Sequence, residues 1–113
     1  FLGGNIGTPF STNVLNEISN KKNKKDNFHI LEVSSFQLED IKYFKPNISI
    51  ILNISPDHLE RHRSIQKYAH AKFKLILNQK KNNYAFIENN KYLIKEIKSN
   101  KVQSKVIKVK KKK

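Results

Sequence analysis

The sequence contains no cysteine, and it has only three glycines and three prolines among its 113 residues. Without cysteine, a disulfide framework, a thiolate metal site and a cysteine nucleophile are all excluded. Long apolar runs are also missing, because the longest, from Ile48 to Ile54, is far shorter than the roughly 20 residues that cross a bilayer. The first residues lack the basic and apolar regions of a signal peptide, so we expect no membrane association.

Arginine is scarce as well, with two residues against 21 lysines, although the formal net charge is +14. Arginine supplies most bidentate contacts to bases and phosphates, so this basic excess is weak evidence for a nucleic-acid partner. Residues 21–25 contribute four positive charges and residues 101–113 contribute seven, which leaves +3 for the other 95 residues. We expect no nucleic-acid partner, and a small Lys-rich polyanion-binding protein remains the alternative.

Helical and strand patterns alternate along the chain. Short apolar segments rich in β-branched residues predict strands at Phe28–Val33, Pro46–Ile54, Tyr84–Glu88 and Val102–Val109. Helix signals are Thr8 as an N-cap with Pro9 at the first helical position, Ser64 as the cap of a helix to about Asn78, and the segment Lys91–Lys98. The alternation predicts an α/β fold with a mainly parallel sheet and flanking helices. The strand predicted at Pro46–Ile54 is almost continuously apolar, which is typical of a parallel sheet that is covered on both faces.

The length allows one domain at most, on a prior of about 100–200 residues per domain. The sequence opens on Phe1 and closes on a run of lysines, and we therefore expect a piece of a longer protein. We assign residues 1–100 to a partial domain. Residues 101–113 form a Lys-rich end, for which we expect a strand and then a disordered tail.

Polar residues follow the predicted strands at the points where the strands end. Asn5 follows the opening segment, and Glu32 to Gln37 come at and after the end of the strand predicted at Phe28–Val33. Asp57 and His58 follow the strand predicted at Pro46–Ile54. Because ligands bind outside the carboxyl ends of the strands in parallel sheets, we expect these residues to share one edge of one sheet.

Each candidate also has a purely structural interpretation. Glu32 either is buried, and then needs a cation, a metal or hydrogen-bond donors, or lies at an exposed edge. Asp57 can cap the next turn, with Glu60 at the capping-box position, and His58 is then only a polar side chain; the spacing alone favours this interpretation. Lys72 lies on the inward face of its helix, where it either reaches solvent or must be paired, deprotonated or modified.

The order of four motifs narrows these alternatives. The strings are Gly3–Pro9 (GGNIGTP), Leu31–Glu39 (LEVSSFQLE), Ile51–His62 (ILNISPDHLERH) and Tyr68–Lys72 (YAHAK). Together they resemble the central, P-loop-type domain of the Mur ligases, and the resemblance covers residues 1 to about 90. It implies a partial Mur ligase central domain within the predicted α/β fold.

The resemblance implies an ATP-dependent amide ligase of peptidoglycan synthesis that is monomeric and cytoplasmic. In this family, ATP phosphorylates a carboxylate, here that of UDP-N-acetylmuramoyl-L-alanine, and the amine of D-glutamate then attacks the acyl phosphate. Mg²⁺ ions screen the charges of the reacting anions. Another Mur or folylpolyglutamate-type ligase is the chemically closest alternative.

The resemblance also implies roles for individual residues. Glu32 binds the Mg²⁺ that bridges the ATP phosphates, and His58 binds a second Mg²⁺ near the substrate carboxylate. Lys72 matches a lysine that is carbamylated in the family and then serves the second metal. All three are candidate catalytic residues, and Asp57 is expected to orient His58.

Asn5, Ser34 and Gln37 match positions that line the substrate or phosphate site. The chain departs from the family at one important point, because no Gly-x-x-x-x-Gly-Lys-[Ser/Thr] phosphate loop occurs. We therefore expect the chain to be inactive by itself.

Overall fold

The computed structural model describes residues 1–20, 27–54 and 63–110. Its elements, in chain order, are β1 (Leu2–Gly4), α1 (Phe10–Ser19), β2 (Ile30–Glu32), α2 (Ser35–Glu39), β3 (Ile48–Ile51), α3 (Ile65–Leu77), β4 (Tyr84–Glu88), α4 (Lys91–Ser99) and β5 (Lys105–Val109). Every strand pair among them is parallel. The predicted α/β class with parallel strands and flanking helices is confirmed. The division of the chain at residue 100 stays a prediction.

The chain forms two compact units, Phe1–Ser34 and Ser35–Lys113. In the first, β1 pairs with β2, and in the second the strand order is β3-β4-β5. The expectation of one sheet was therefore wrong for the described residues. Apolar, β-branched segments indicate where strands form, but pairing depends on long-range hydrogen bonds that a local pattern does not encode.

The start of α1 differs by one residue from the prediction. Pro9 is the N-cap, because its ψ of 140° lies outside the helical range. Its carbonyl accepts hydrogen bonds from the backbone amides of Thr12 and Asn13. Thr8 is instead held beside β1, where its carbonyl accepts the amide of Gly4 at 3.2 Å, so it cannot serve as the cap.

The core of the second unit lies on one face of its sheet, beneath α3 and α4. The apolar side chains of the sheet and the two helices form a single buried cluster of Ile51, Phe73, Ile76, Ala85, Ile87 and Leu93. The opposite face is open, since Ile48 and Ile50 are each 59% exposed. The prediction that the strand at Pro46–Ile54 is covered on both faces was wrong for β3, because α3 and α4 pack on the same face of the sheet.

The two longer helices of the second unit, α3 and α4, begin directly after residues that cap them. Ser64 is the N-cap of α3, and its hydroxyl accepts the amide of Lys67 at 3.2 Å, as predicted. Asn90 caps α4 by accepting the amides of Tyr92 and Leu93. Among the described residues, no helix combines the length and the apolar character that crossing a membrane requires.

A buried amide fixes the connection between α3 and β4. The side chain of Gln79 is 1% exposed. Its amide nitrogen donates to the carbonyls of Pro46 and Tyr84, both at 3.0 Å, and its oxygen accepts the hydroxyl of Ser49 at 3.3 Å. All polar atoms of this amide therefore have partners, which is the condition for burying them without a large cost.

Candidate active site

The turn after β1 depends on two glycines. A Cβ on Gly3 would lie 2.0 Å from the carbonyl oxygen of Thr8, and a Cβ on Gly4 would lie 2.3 Å from that of Glu32. Gly4 also has a φ of 107°, in the region that favours glycine. The backbone can therefore turn closely past the end of β2 only because side chains are absent here.

This turn brings Asn5 to Glu32. The backbone amide of Asn5 donates to the carbonyl oxygen of Glu32 at 2.7 Å, one step beyond the last pair of the β1-β2 ladder, Gly4 and Glu32. Both side chains are exposed, so the exposed alternative for Glu32 is the observed one. The carboxylate and the amide thus lie at the carboxyl ends of two adjacent parallel strands and are accessible to a ligand.

Ser34 and Gln37 follow β2 in the sequence. Ser34 is half-buried and ends the first unit, whereas Gln37 is an exposed residue of α2 in the second unit. Both make contacts with other residues. Their roles at a substrate site stay predictions.

Lys72 is held at the carboxyl end of β3. Its ammonium group donates to the backbone carbonyl of Asn53 at 3.1 Å and lies 5.1 Å from the centre of the Tyr68 ring. The side chain is half-buried. The inward placement that the sequence predicts is therefore accommodated by a carbonyl and an aromatic face.

Asp57 and His58 lie outside the described residues. Within residues 1–20, 27–54 and 63–110, no three His, Cys, Asp or Glu side chains come together as a metal site. Mg²⁺ does not require such a cage, since it binds through one or two carboxylates together with waters and substrate phosphates. The exposed carboxylate of Glu32 fits that mode of binding.

The sequence patterns do not identify two polar side chains that organise the first unit. Asn13 is 6% exposed on α1, and its amide donates to the carbonyl of Leu2 at 3.1 Å. His29 stacks on Phe1 and lies 2.7 Å from the carboxylate of Glu17. Hydrogen bonds from His29 and then from Asn27 hold the pKa of Glu17 below its usual value. Phe10, Asn13 and Glu17 recur at helical spacing and therefore lie on one face of α1. This spacing is the local sequence signal for that face.

The fold and these strand-end residues define a parallel α/β domain of the kind that binds ligands at the carboxyl edge of its strands. The family model of the Mur ligase middle domain matches residues 2–113. The chain therefore belongs to the Mur ligase family.

Several curated relatives carry the same name, UDP-N-acetylmuramoylalanine--D-glutamate ligase. The protein from Fusobacterium nucleatum is 49% identical over 86 residues, which are 76% of this chain and 18% of the relative. That from Koribacter versatilis is 45% identical over 86 residues, with the same coverage. That from Caldicellulosiruptor bescii is 48% identical over 75 residues, or 66% of this chain and 15% of the relative. The chain thus spans less than a fifth of the length of these relatives.

Proposed function

We propose that this chain is the central part of an ATP-dependent ligase that joins D-glutamate to UDP-N-acetylmuramoyl-L-alanine in peptidoglycan synthesis. The observation that carries the proposal is the identity of 40–49% to curated ligases of that name, over most of this chain. The placement of Asn5 and Glu32 at adjacent strand ends supports it, because ligands of parallel α/β domains bind outside the carboxyl ends of the strands.

The reaction consists of two transfers. In the first, the terminal phosphoryl group of ATP passes to a carboxylate oxygen of UDP-N-acetylmuramoyl-L-alanine, and ADP leaves. In the second, the amine of D-glutamate attacks the carbonyl carbon of this acyl phosphate, the C–O bond to phosphate breaks, and the nitrogen loses a proton. The products are the amide, ADP and phosphate. Because each step brings anions together, the protein must hold them in place against their repulsion.

We assign Glu32 to Mg²⁺ binding at the ATP phosphates, because its carboxylate is exposed at the end of β2. His58 and a carbamylated Lys72 would hold a second Mg²⁺, with Asp57 orienting His58. When bound, Mg²⁺ would screen the negative charge of the phosphates and the substrate carboxylate. Lys72 supports this assignment by its position beside Asn53, just beyond β3.

Asn5, Ser34 and Gln37 would contact the UDP-muramoyl substrate or its transferred phosphate. Asn5 is suited to this role because its backbone is fixed to the end of β2 and its side-chain amide is exposed there. We further propose that the complete enzyme is a monomer and works in the cytoplasm, where ATP and nucleotide-linked precursors are present.

A chimera tests the proposal. The 86-residue segment of the Fusobacterium nucleatum relative that matches this chain is replaced by the segment of this chain. We expect ADP release that requires both UDP-N-acetylmuramoyl-L-alanine and D-glutamate. We expect Glu32→Gln to reduce it by about 100-fold or more, because even the loss of a residue that orients a metal ligand costs roughly 10- to 100-fold. Asp40→Asn, an exposed carboxylate in the turn after α2, serves as the matched control and should retain activity.

Two outcomes would contradict the proposal. A folded chimera that releases no ADP with both substrates present would refute the ligase function of this segment. ADP release that depends on another amino acid in place of D-glutamate would instead assign the segment to a different amide ligase of the same family.

A further inference from the structure

Tyr68 and Lys72 lie one turn apart on α3, so their side chains are neighbours on the helix surface. Tyr68 is 2% exposed and its ring is therefore fixed by the surrounding core. The Lys72 nitrogen lies 5.1 Å from the ring centre, within the distance at which an ammonium group is attracted to an aromatic face. The ring thus provides a rigid surface along which the flexible lysine chain extends.

A second contact of Lys72 determines where its nitrogen lies. The nitrogen donates to the carbonyl of Asn53 at 3.1 Å, and Asn53 comes two residues after the end of β3. A lysine without such contacts would extend into solvent and sample many rotamers. Between the ring and the carbonyl, the nitrogen of the unmodified lysine is instead kept at the carboxyl end of a strand, where the proposed carbamylation takes place.

We propose that Tyr68 is a positioning residue for Lys72, and that its aromatic ring, rather than its hydroxyl group, holds the Lys72 nitrogen beside Asn53. The effect of this placement on catalysis rests on the proposed ligase function, whereas the placement itself does not. Tyr68 itself touches neither substrate nor metal in this assignment, and acts through Lys72.

The placement can be measured on the 113-residue chain without any ligase activity. Nuclear Overhauser effects between the ε-methylene protons of Lys72 and the protons of Asn53 and Ile54 report how close the side chain is to the strand end. We expect them in the original chain and in Tyr68→Phe, which keeps the ring. We expect their loss in Tyr68→Met, which keeps a long apolar side chain in the helix but removes the ring.

The chain offers a matched control. Lys91 lies 5.0 Å from the centre of the Tyr92 ring on α4, in a Lys–Tyr contact between adjacent residues that is away from β3. Tyr92→Met should alter the signals of Lys91 and leave the contacts of Lys72 with Asn53 unchanged. If Tyr68→Met does not fold, Tyr68→Leu provides the same comparison with a smaller side chain.

In the chimera, Tyr68→Met should lower kcat by about tenfold, as loss of an orienting partner does, and Tyr68→Phe should restore most of it. Persistence of the Lys72–Asn53 contacts in folded Tyr68→Met would overturn the positioning role, whatever the chimera does. Loss of those contacts with an inactive unsubstituted chimera would instead leave the positioning role standing and refute the ligase function.

Discussion

The backbone amide of Asn5 and the carbonyl of Glu32 are joined by a hydrogen bond of 2.7 Å, so the turn after β1 is attached directly to the end of β2. The two residues are 27 positions apart in the sequence, yet their separation is set by the close approach of Gly4 to the same carbonyl. Changes at this turn should therefore affect the candidate site and the first unit together.

Gly4→Ala should destabilise the first unit more than Gly7→Ala. Both residues have positive φ, which costs a residue with a Cβ roughly 1–2 kcal/mol. At Gly4 the added Cβ would also meet the Glu32 carbonyl at 2.3 Å, whereas at Gly7 its nearest neighbour is 3.9 Å away. Hydrogen exchange of the Asn5 amide measures the difference. Equal protection of that amide in the two variants would contradict the packing around Gly4.

Lys72→Arg should keep the positive charge at this position but lower the ligase activity of the chimera. Arginine retains a positive charge and donors for the Asn53 carbonyl, so the fold should be kept, but it cannot be carbamylated in the way proposed for lysine. We expect an activity loss of about 100-fold. Lys72→Ala should lose a similar amount and recover part of it when formate or acetate is added.

Lys74→Arg is the matched control for this experiment, because Lys74 also donates to a backbone carbonyl, that of Glu39, from the same helix. It should leave activity unchanged. Full activity in Lys72→Arg would refute the role proposed for carbamylated Lys72.

Stability of the first unit should depend on the ionisation of Glu17. Its pKa in the folded chain is lowered by hydrogen bonds from His29 and then Asn27, relative to the ordinary value of 4.5. The ionised carboxylate therefore stabilises the folded state above pH 4.5, and this contribution is lost as the pH falls through the lowered pKa. Unfolding of the original chain and of Glu17→Gln, compared between pH 6 and 3, should show a difference that shrinks only on acidification. A constant difference would contradict this linkage.

Gln79→Leu should destabilise the second unit by about 1–3 kcal/mol, because leucine leaves buried polar partners without their hydrogen bonds. The affected groups are the carbonyls of Pro46 and Tyr84 and the hydroxyl of Ser49. Gln66→Leu, at an exposed position of α3, should change the stability by less than about 0.5 kcal/mol. Urea unfolding measures both, and similar values for the two would show that the Gln79 network contributes little.

Local signals predicted those parts of the fold that depend on neighbouring residues. The start of α3 follows from the Ser64 cap, and β4 has the predicted bounds, Tyr84–Glu88. The separation of the strands into two sheets could not be predicted, because the partner of a strand is chosen by distant residues. The same reason explains the burial of Gln79, whose partner Pro46 lies 33 positions away.

For the candidate site, the motifs indicated Asn5 and Glu32, and the parallel pairing of β1 with β2 places these two residues together. The hydrogen bond that holds the Lys72 nitrogen could not be predicted. It depends on the backbone of Asn53, whose carbonyl carries no side-chain signal in the sequence. The helical spacing of Tyr68 and Lys72 indicated only that the two share a face.

The lysines of β5 have a consequence for how the chain behaves among other copies of itself. Among the described strands, β5 is at one end of the order β3-β4-β5, and it carries Lys105 and Lys108. An outer strand can extend its hydrogen-bond ladder with a strand from another molecule, which leads to aggregation, and charged lysines oppose that addition. Part of the positive charge of this chain thus protects a sheet edge, and we expect Lys105→Ile with Lys108→Val to aggregate at protein concentrations at which the original chain does not.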